Sequence, residues 1–123
     1  MKRGTRASLI TKQRKRVEVE IDGETFTLQR ISGLERDQFL AKIRGADEPT
    51  GEAQLVARCL IDDESGARMF ADDEIDQLNA GICAMDLSQL SKAALQLNGF
   101  DKQVAEHIAK NSESAPSAAS TSA

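Results

Sequence analysis

Apolar and polar residues alternate along residues 16–29, RVEVEIDGETFTLQ, on both sides of Asp22-Gly23. Alternation is typical of a half-buried strand, and Asp-Gly between two such runs favours a two-residue hairpin turn. A turn at this position pairs the strands in the register Ile21–Glu24, Val19–Phe26 and Val17–Leu28. The opposite, polar face carries Glu18, Glu20, Thr25 and Thr27. A lone hairpin is marginally stable in water, so we expect its apolar face to pack on helices or on another chain.

The next two segments have apolar residues at helical spacing. Residues 31–45, ISGLERDQFLAKIRG, place Ser32 and Glu35 in the spacing of a capping box, in which each side chain accepts a hydrogen bond from the other residue's backbone N–H. We predict a helix that ends at Gly45 and has the apolar stripe Leu34, Phe39, Leu40 and Ile43. After a loop at 45–51, residues 52–61 predict a second helix with the apolar face Leu55, Val56, Cys59 and Leu60.

Two further helices and a final helical piece complete the pattern. A short helix over residues 73–80 carries Ile75 and Leu78, and residues 86–98 predict a longer one that ends at Asn98-Gly99. Its expected N-cap is Asp86, and its stripe is Leu87, Leu90, Ala94 and Leu97. Residues 101–111, DKQVAEHIAKN, predict a last piece that uses Val104 and Ile108. The fold class is therefore α+β and mostly helical, an N-terminal β-hairpin packed on four or five short helices.

The connection DDESGARMFADD, residues 62–73, places carboxylates around Gly66, as calcium loops do. An EF-hand loop with Gly66 at its sixth position would have Ile61 first and Asp72 twelfth, with Asp63 and Ser65 between them. Ile61 offers no ligand, and the twelfth position requires glutamate. A solvated turn explains these residues better, with positive φ at Gly66 and Asp72 as the N-cap of the next helix, whose first turn contains Asp73 and Glu74.

The formal net charge of −4 is distributed unevenly along the chain, with basic residues concentrated at the start. Residues 1–16 contain no acid and seven basic residues: Lys2, Arg3, Arg6, Lys12, Arg14, Lys15 and Arg16. Nine of the 16 basic residues therefore remain against all 20 acidic ones, so residues 1–16 carry +7 and the remaining residues −11. Such an arm suits a nucleic acid or membrane surface, a solvated tail, or a segment lying against its own acidic body.

These patterns divide the chain into three predicted parts. Residues 1–15 form a basic flexible arm, and residues 16–110 form a single domain, with the hairpin at 16–29 and helices at 32–110. Residues 111–123, rich in serine and alanine, have too little apolar mass to offset ordering entropy and are expected to be disordered.

Residue patterns for catalysis or cofactor binding are missing from the sequence. We find no nucleophile with a base, no metal-ligand spacing and no phosphate-binding glycine loop. His107, the only histidine, is expected on the surface, and the neighbouring acids at 62–64 and 72–74 are expected to be solvated. We therefore predict a protein that is not an enzyme and acts by contact with another macromolecule, through residues that the sequence does not identify.

The cysteines and the hydropathy indicate the cellular compartment in which the protein is expected. Cys59 and Cys83 lie far apart in apolar surroundings, and no apolar region of signal-peptide length follows the basic start. We expect both to be reduced and buried in a cytoplasmic protein. No window is apolar over the length of a membrane span, so no membrane partner is expected. Aromatic residues make up only 3%, so a nucleic-acid partner is not expected either.

Several short motifs occur in an order similar to that of a known family. ISGLERDQF follows the hairpin, DESGARMF forms the later turn, ADDEIDQL begins the short helix, and LNG ends the leucine-striped helix. Over about residues 17–111 this order resembles the tail assembly chaperones of long-tailed, siphovirus-type phages and prophages. The basic residues 1–16 are the least matched part.

The resemblance implies a function and partners. Such chaperones are made while the tail is built, are absent from the mature virion, coat the tape measure protein and bring tail tube subunits to it. We accordingly expect a non-catalytic, late-expressed protein of the host cell cytoplasm, without cofactors. The exposed strand edges of the hairpin also predict a homo-oligomer. The alternatives are a structural virion component, such as a head–tail connector subunit, and a nucleic-acid-associated protein that uses the basic arm.

Many members of this family also occur as a longer form, made by ribosomal frameshifting near the end of the reading frame. Ala109-Lys110-Asn111 is compatible with the codons GCA AAA AAC, which contain a slippery run. We therefore expect a longer form of this protein as a further partner.

Overall fold

The structure is a computed structural model that describes residues 3–45, 50–100, 104–106 and 108. The described elements are α1 (Arg6–Ile10), β1 (Arg16–Ile21), β2 (Glu24–Gln29), α2 (Gly33–Gly45), α3 (Gly51–Cys59), β3 (Leu60–Ile61), a 3₁₀ turn (Asp72–Glu74), α4 (Ile75–Gly81) and α5 (Ala84–Asn98). Helices and one small antiparallel sheet share a single core, which confirms the predicted α+β, mostly helical class.

The hairpin has the predicted register, with Val17 opposite Leu28 and Val19 opposite Phe26. Asp22 and Gly23 have φ of 51° and 84°, as a type I′ turn requires. Val19 and Leu28 are buried, but Val17 is 37% exposed, because it lies near the open end of β1, where the helices do not cover it fully.

A third strand, which the sequence did not predict, extends this sheet in the order β1-β2-β3. The predicted helix over 52–61 is wrong at its end, because α3 stops at Cys59, and Leu60 and Ile61 pair with β2. Thr27, predicted on the polar face, is buried beside Ile61. The free backbone groups of the β2 edge gain hydrogen-bond partners in this way. The sequence did not predict β3, because a strand of two residues is too short to show an alternating pattern.

The connection after β3 folds as a tight turn, as predicted. The backbone N–H of Asp62 donates to the Ala67 carbonyl at 2.8 Å, and that of Gly66 to the Asp62 carbonyl at 2.7 Å. Oδ1 of Asp62 accepts bonds from the N–H groups of Glu64 and Ser65 at 2.8 and 3.3 Å. Gly66 has φ of 75°, which a residue with a side chain rarely adopts. The Asp62 carboxylate, the first of the stretch, therefore accepts its hydrogen bonds from backbone groups of the turn itself.

Helix α2 begins with the predicted capping box. Oε1 of Glu35 accepts from the Ser32 N–H at 3.0 Å, and Oγ of Ser32 accepts from the Glu35 N–H at 3.1 Å. Phe39 and Ile43 are buried as predicted, but Leu34 is 68% exposed. Leu34 lies five residues before Phe39, about 140° around the helix, and so faces away from the core.

Three details around α4 and α5 correct the sequence analysis. Asp72 is not an N-cap, because Ala71 precedes the 3₁₀ turn and the Asp72 carboxylate binds Arg68 instead. Asp86 is not one either, since α5 begins at Ala84. Cys83, predicted to be buried, is exposed because it is the N-cap residue of α5 and lies outside its apolar stripe.

The predicted apolar stripes of α4 and α5 are otherwise confirmed, and α5 ends at Gly99 with φ of 66°. The core centres on α3, where Ala53, Leu55, Val56, Ala57 and Cys59 are all buried. Residues 104–106 and 108 have helical backbone, and Ile108 is buried against Gly51. His107, the proposed slippery site and the serine-rich tail lie outside the described residues.

Within the basic arm, residues 6–10 form a helix that the sequence did not predict. Thr5 and Ser8 exchange backbone-to-hydroxyl hydrogen bonds of 3.1 and 2.9 Å at its start. The arm meets the body at Arg14, whose Nη1 lies 3.0 Å from Oε1 of Glu35, and at Lys15, whose carbonyl accepts from the Arg30 N–H at 3.0 Å. The flexibility of residues 1–15 stays a prediction.

Candidate functional site

An apolar groove of about 450 Å³ lies at the turn end of the hairpin, between the sheet and helices α4 and α5. It is lined by Ile21, Phe26, Leu60, Met69, Phe70, Gln77, Leu78, Gly81, Ile82, Asp86 and Leu90. These residues come from β1, β2, β3, the segment before the 3₁₀ turn, α4, the connection between α4 and α5, and α5. We call it the groove below.

The groove exists because the elements around it bury only part of their apolar surface. Leu78 and Leu90 are core residues, but Ile21, Phe26 and Phe70 are only half-buried. Met69 is 43% exposed, although its side chain is apolar. Partly covered apolar surface in a concave site is typical of a place where another molecule binds.

The charge around the groove is negative. Asp86 is the one charged residue among those that line it, and it is half-buried. The neighbouring 3₁₀ turn and α4 add Asp73, Glu74 and Asp76, all exposed. No basic residue is among the lining residues that the structure describes. The groove therefore suits an apolar segment flanked by positive charge.

A second concavity, of about 420 Å³, lies between the start of α2 and the end of α5. Its lining includes Arg36, Asp37 and Phe100, and so mixes charged and apolar groups. The groove is the more apolar of the two surfaces.

One wall of the groove is held by two arginines that share an aspartate. Asp72 Oδ1 lies 2.9 Å from Nη1 of Arg68 and 3.3 Å from Nη1 of Arg58, which is 5% exposed. Nε of Arg68 donates to the Ala57 carbonyl at 3.1 Å. Burial lowers the pKa of the Arg58 guanidinium, and the hydrogen bond from Arg68 lowers that of the Asp72 carboxyl. This cluster joins α3 to the segment that carries Met69 and Phe70.

The buried thiol of Cys59 belongs to the core. Nδ2 of Asn98 donates to Cys59 Sγ at 3.3 Å. Burial raises the pKa of this thiol to about 11, so it stays protonated at neutral pH and is a poor nucleophile. The contact between Asn98 and Cys59 therefore has a structural role.

The described residues meet the requirements of neither a metal site nor a membrane-spanning helix. Among them, no three or more His, Cys, Asp and Glu side chains are grouped so that they could hold a metal ion. None of the described helices is both long enough and apolar enough to cross a membrane.

Comparison with known proteins gives one clear result. The sequence matches no protein-family model and no curated protein. The fold, however, is similar to the solved structure of the bacteriophage HK97 tail assembly chaperone, with a TM-score of 0.57 at 18% sequence identity. The similarity covers 74% of this chain and 94% of the HK97 protein.

This chain has the fold of a phage tail assembly chaperone. The fold that the sequence motifs implied is thereby confirmed, since nearly the whole HK97 tail assembly chaperone is matched. At 18% identity the two chains share an architecture while most side chains differ.

The groove was not predicted from the sequence. A signal was present in Met69-Phe70 and Ile82, which are apolar residues outside every predicted stripe. Their placement together depends on β3 and on the turn that follows it, neither of which periodicity reveals.

Proposed function

We propose that this protein is a non-catalytic tail assembly chaperone that binds the tape measure protein and helps to recruit tail tube subunits. It would act in the host cell cytoplasm as a homo-oligomer and be absent from the mature virion. The observation that supports this proposal is the fold shared with the HK97 tail assembly chaperone over 94% of that protein.

The groove gives this function a physical basis. A tape measure protein is long and rich in helices, and its apolar stripes stay exposed until the tube encloses it. An open apolar groove can bind a few side chains of such a stripe, as in complexes where an amphipathic helix lays its apolar face into a hydrophobic groove. Binding of this kind is weak enough to be reversed when tube subunits arrive. The acidic residues around the groove favour apolar stripes of the tape measure protein that have basic residues beside them.

Co-expression with the tape measure protein of the same phage or prophage tests the proposal. We expect the wild type to raise the soluble fraction of the tape measure protein and to co-purify with it. Met69→Lys places a charge in the groove and should reduce co-purification by about tenfold. Met85→Lys is the matched control, because Met85 is 84% exposed and does not line the groove.

Three outcomes would count against the proposal. One is a tape measure protein that remains insoluble and unbound. Another is stable incorporation of this protein into purified virions, as expected of a head–tail connector subunit. The third is tight, salt-sensitive binding to DNA or RNA that is lost when the basic residues of the arm are neutralised.

The longer form is a separate part of the proposal. If the gene encodes Lys110 as AAG and has no other slippery run near its 3′ end, frameshifting at this site is ruled out. If the run is present, mass spectrometry of cells expressing the intact gene region should detect the extended product.

A further inference from the structure

The outer edge of β1 is open. The sheet order is β1-β2-β3, so β2 covers one side of β1 and no described strand pairs with the other side. The opposite edge of the sheet is covered, because Ile61 of β3 forms a bridge with Arg68 and the Met69 N–H donates to the Leu60 carbonyl at 3.0 Å. A strand edge with free backbone groups can pair with an extended segment of another chain.

The register of the hairpin fixes which backbone groups of β1 point outward. Ile21 and Glu24 flank the two-residue turn, and residues in this position exchange both backbone hydrogen bonds. Every second residue of β1, counted from Ile21, then also bonds to β2. The bond of 3.0 Å from the Arg30 N–H to the Lys15 carbonyl follows the same alternation. The N–H and C=O groups of Glu18 therefore point away from β2.

A side-chain contact at Glu20 agrees with this alternation. Nε2 of Gln89, on α5, donates to the Glu20 carbonyl at 3.2 Å, as an outward-facing carbonyl permits. No loop or side chain among the residues that the structure describes forms a comparable bond with the backbone of Glu18. Helix α5 thus covers the edge only near the turn, and the middle of the edge stays free.

The side chains along this edge are acidic on one face and apolar on the other. Glu18 and Glu20 are exposed, and neither forms an ion pair with a described residue. Arg16, the basic residue of the strand, is engaged with β2, where its Nε donates to Oε1 of Gln29 at 3.0 Å. On the opposite face, Val17 is 37% exposed. The edge therefore suits a strand with basic residues on one face and apolar residues on the other.

We propose that the outer edge of β1 binds an extended segment of a different protein by strand addition, a segment in which basic and apolar residues alternate. The segment runs antiparallel to β1 and exchanges both backbone hydrogen bonds with Glu18. Its basic side chains lie opposite Glu18 and Glu20, and its apolar side chains lie beside Val17. A second copy is a poorer occupant, because two β1 strands that pair around Glu18 place carboxylate opposite carboxylate.

The edge is a separate surface from the groove. Arg16, Glu18 and Glu20 do not line the groove, so a strand on the edge and an apolar segment in the groove can be bound at the same time. Binding at the edge therefore does not depend on the tape measure protein.

Two substitutions of Glu18 in the full-length protein test the contact. Glu18→Pro removes the outward N–H, which the pairing of β1 with β2 does not use. Glu18→Gln is the matched control, since it removes the same charge and keeps the N–H. The probe is a fluorescein-labelled peptide of about ten residues in which lysine and valine alternate. A peptide with glutamate in place of lysine is the charge control. Circular dichroism melts establish that both variants fold.

Fluorescence anisotropy measures the affinity for each peptide. The wild type should bind the lysine peptide about tenfold more tightly than the glutamate peptide, and this preference should fall as salt is raised. Glu18→Gln should bind the lysine peptide within about threefold of the wild type. Glu18→Pro should bind it about tenfold more weakly than Glu18→Gln, because the missing donor and the proline ring interrupt the pairing.

Two further measurements use the wild type and so do not depend on the folding of a proline variant. The lysine peptide, N-methylated on the amides that face β1, should bind about tenfold more weakly than the unmodified peptide. In amide hydrogen exchange followed by NMR, the Glu18 amide should exchange fast in the free protein and about tenfold more slowly with the peptide bound. The amides of Val17 and Val19, which bond to β2, should be protected in both states.

Strand addition is overturned if Glu18→Pro and Glu18→Gln bind the lysine peptide equally, if N-methylation of the peptide has no effect, or if exchange at Glu18 does not change. It is also overturned if the Glu18 amide is already protected in the free protein and Glu18→Pro dissociates an oligomer, because a second copy then occupies the edge. Capture of the tape measure protein is a separate readout, so its failure would refute the proposed function alone.

Discussion

The side-chain oxygen of Asn98, at the end of α5, accepts a hydrogen bond of 2.9 Å from the backbone N–H of Ile31, which precedes α2. Nδ2 of the same residue donates to the Ala94 carbonyl at 2.8 Å and to Cys59 Sγ. Next to it, Nε of Arg30 donates to the Leu97 carbonyl at 2.6 Å. One amide thus joins the end of α5 to the start of α2 and to the end of α3.

Asn98→Ala should lower the free energy of unfolding by about 2–3 kcal/mol, because the partly buried Ile31 N–H loses its partner along with the bonds to Ala94 and Cys59. Urea denaturation followed by circular dichroism measures the change. Asn79→Ala is the control, since Asn79 is exposed on α4, and it should change stability by less than about 0.5 kcal/mol. Equal effects of the two substitutions would refute the role given to Asn98.

Gly99→Ala tests the left-handed residue that ends α5. A side chain at φ of 66° costs about 1 kcal/mol, so the melting temperature should fall by several degrees. Gly81→Ala is the matched control, because a Cβ there meets no atom within 4 Å and Gly81 does not have positive φ. We expect this control to be neutral or slightly stabilising, since alanine reduces the entropy of the unfolded chain.

Glu35→Gln tests the charge in the capping box while keeping an acceptor for the Ser32 N–H. Burial raises the pKa of Glu35, but the hydrogen bonds from Ser32 and the charge of Arg14 outweigh it, so the pKa lies below its ordinary 4.5. The lowered value means that the charged form stabilises the fold above the ordinary pKa, and that this contribution is lost as pH falls through the folded-state pKa.

The wild type should therefore be more stable than Glu35→Gln at pH 7 by roughly 0.3–1 kcal/mol, the range of a partly exposed ion pair. The difference should shrink from about pH 5 downward. Urea titrations at pH 7, 5, 4 and 3 provide the measurement. A difference that stays constant over this range would contradict the assignment.

The two thiols should differ in reactivity. Cys83 is exposed, whereas Cys59 is buried with its pKa raised to about 11. At pH 8, Ellman's reagent should therefore titrate one thiol per native chain rapidly and the second only in urea. Cys83→Ser should abolish the fast phase. Rapid reaction of two thiols in the native wild type would show that the core around Cys59 opens.

The sequence by itself determined the local elements of this protein. The Asp22-Gly23 turn set the register of the hairpin, because both residues tolerate positive φ and alternation leaves one face apolar. The Ser32–Glu35 capping box and the glycine after Asn98 fixed two helix ends through bonds and angles within a few residues. Such features follow from neighbouring side chains alone.

Tertiary structure decided which apolar residues are covered and where strand replaces helix. Leu60 fits the helical stripe and Ile61 lies within the predicted helix, but the free edge of β2 offers both residues backbone partners that only the folded chain brings near. Leu34 and Cys83 are apolar in sequence yet exposed, since burial depends on which side of an element meets its neighbours. The groove arises for the same reason, because its walls come from seven separate segments, and no local pattern records where they meet.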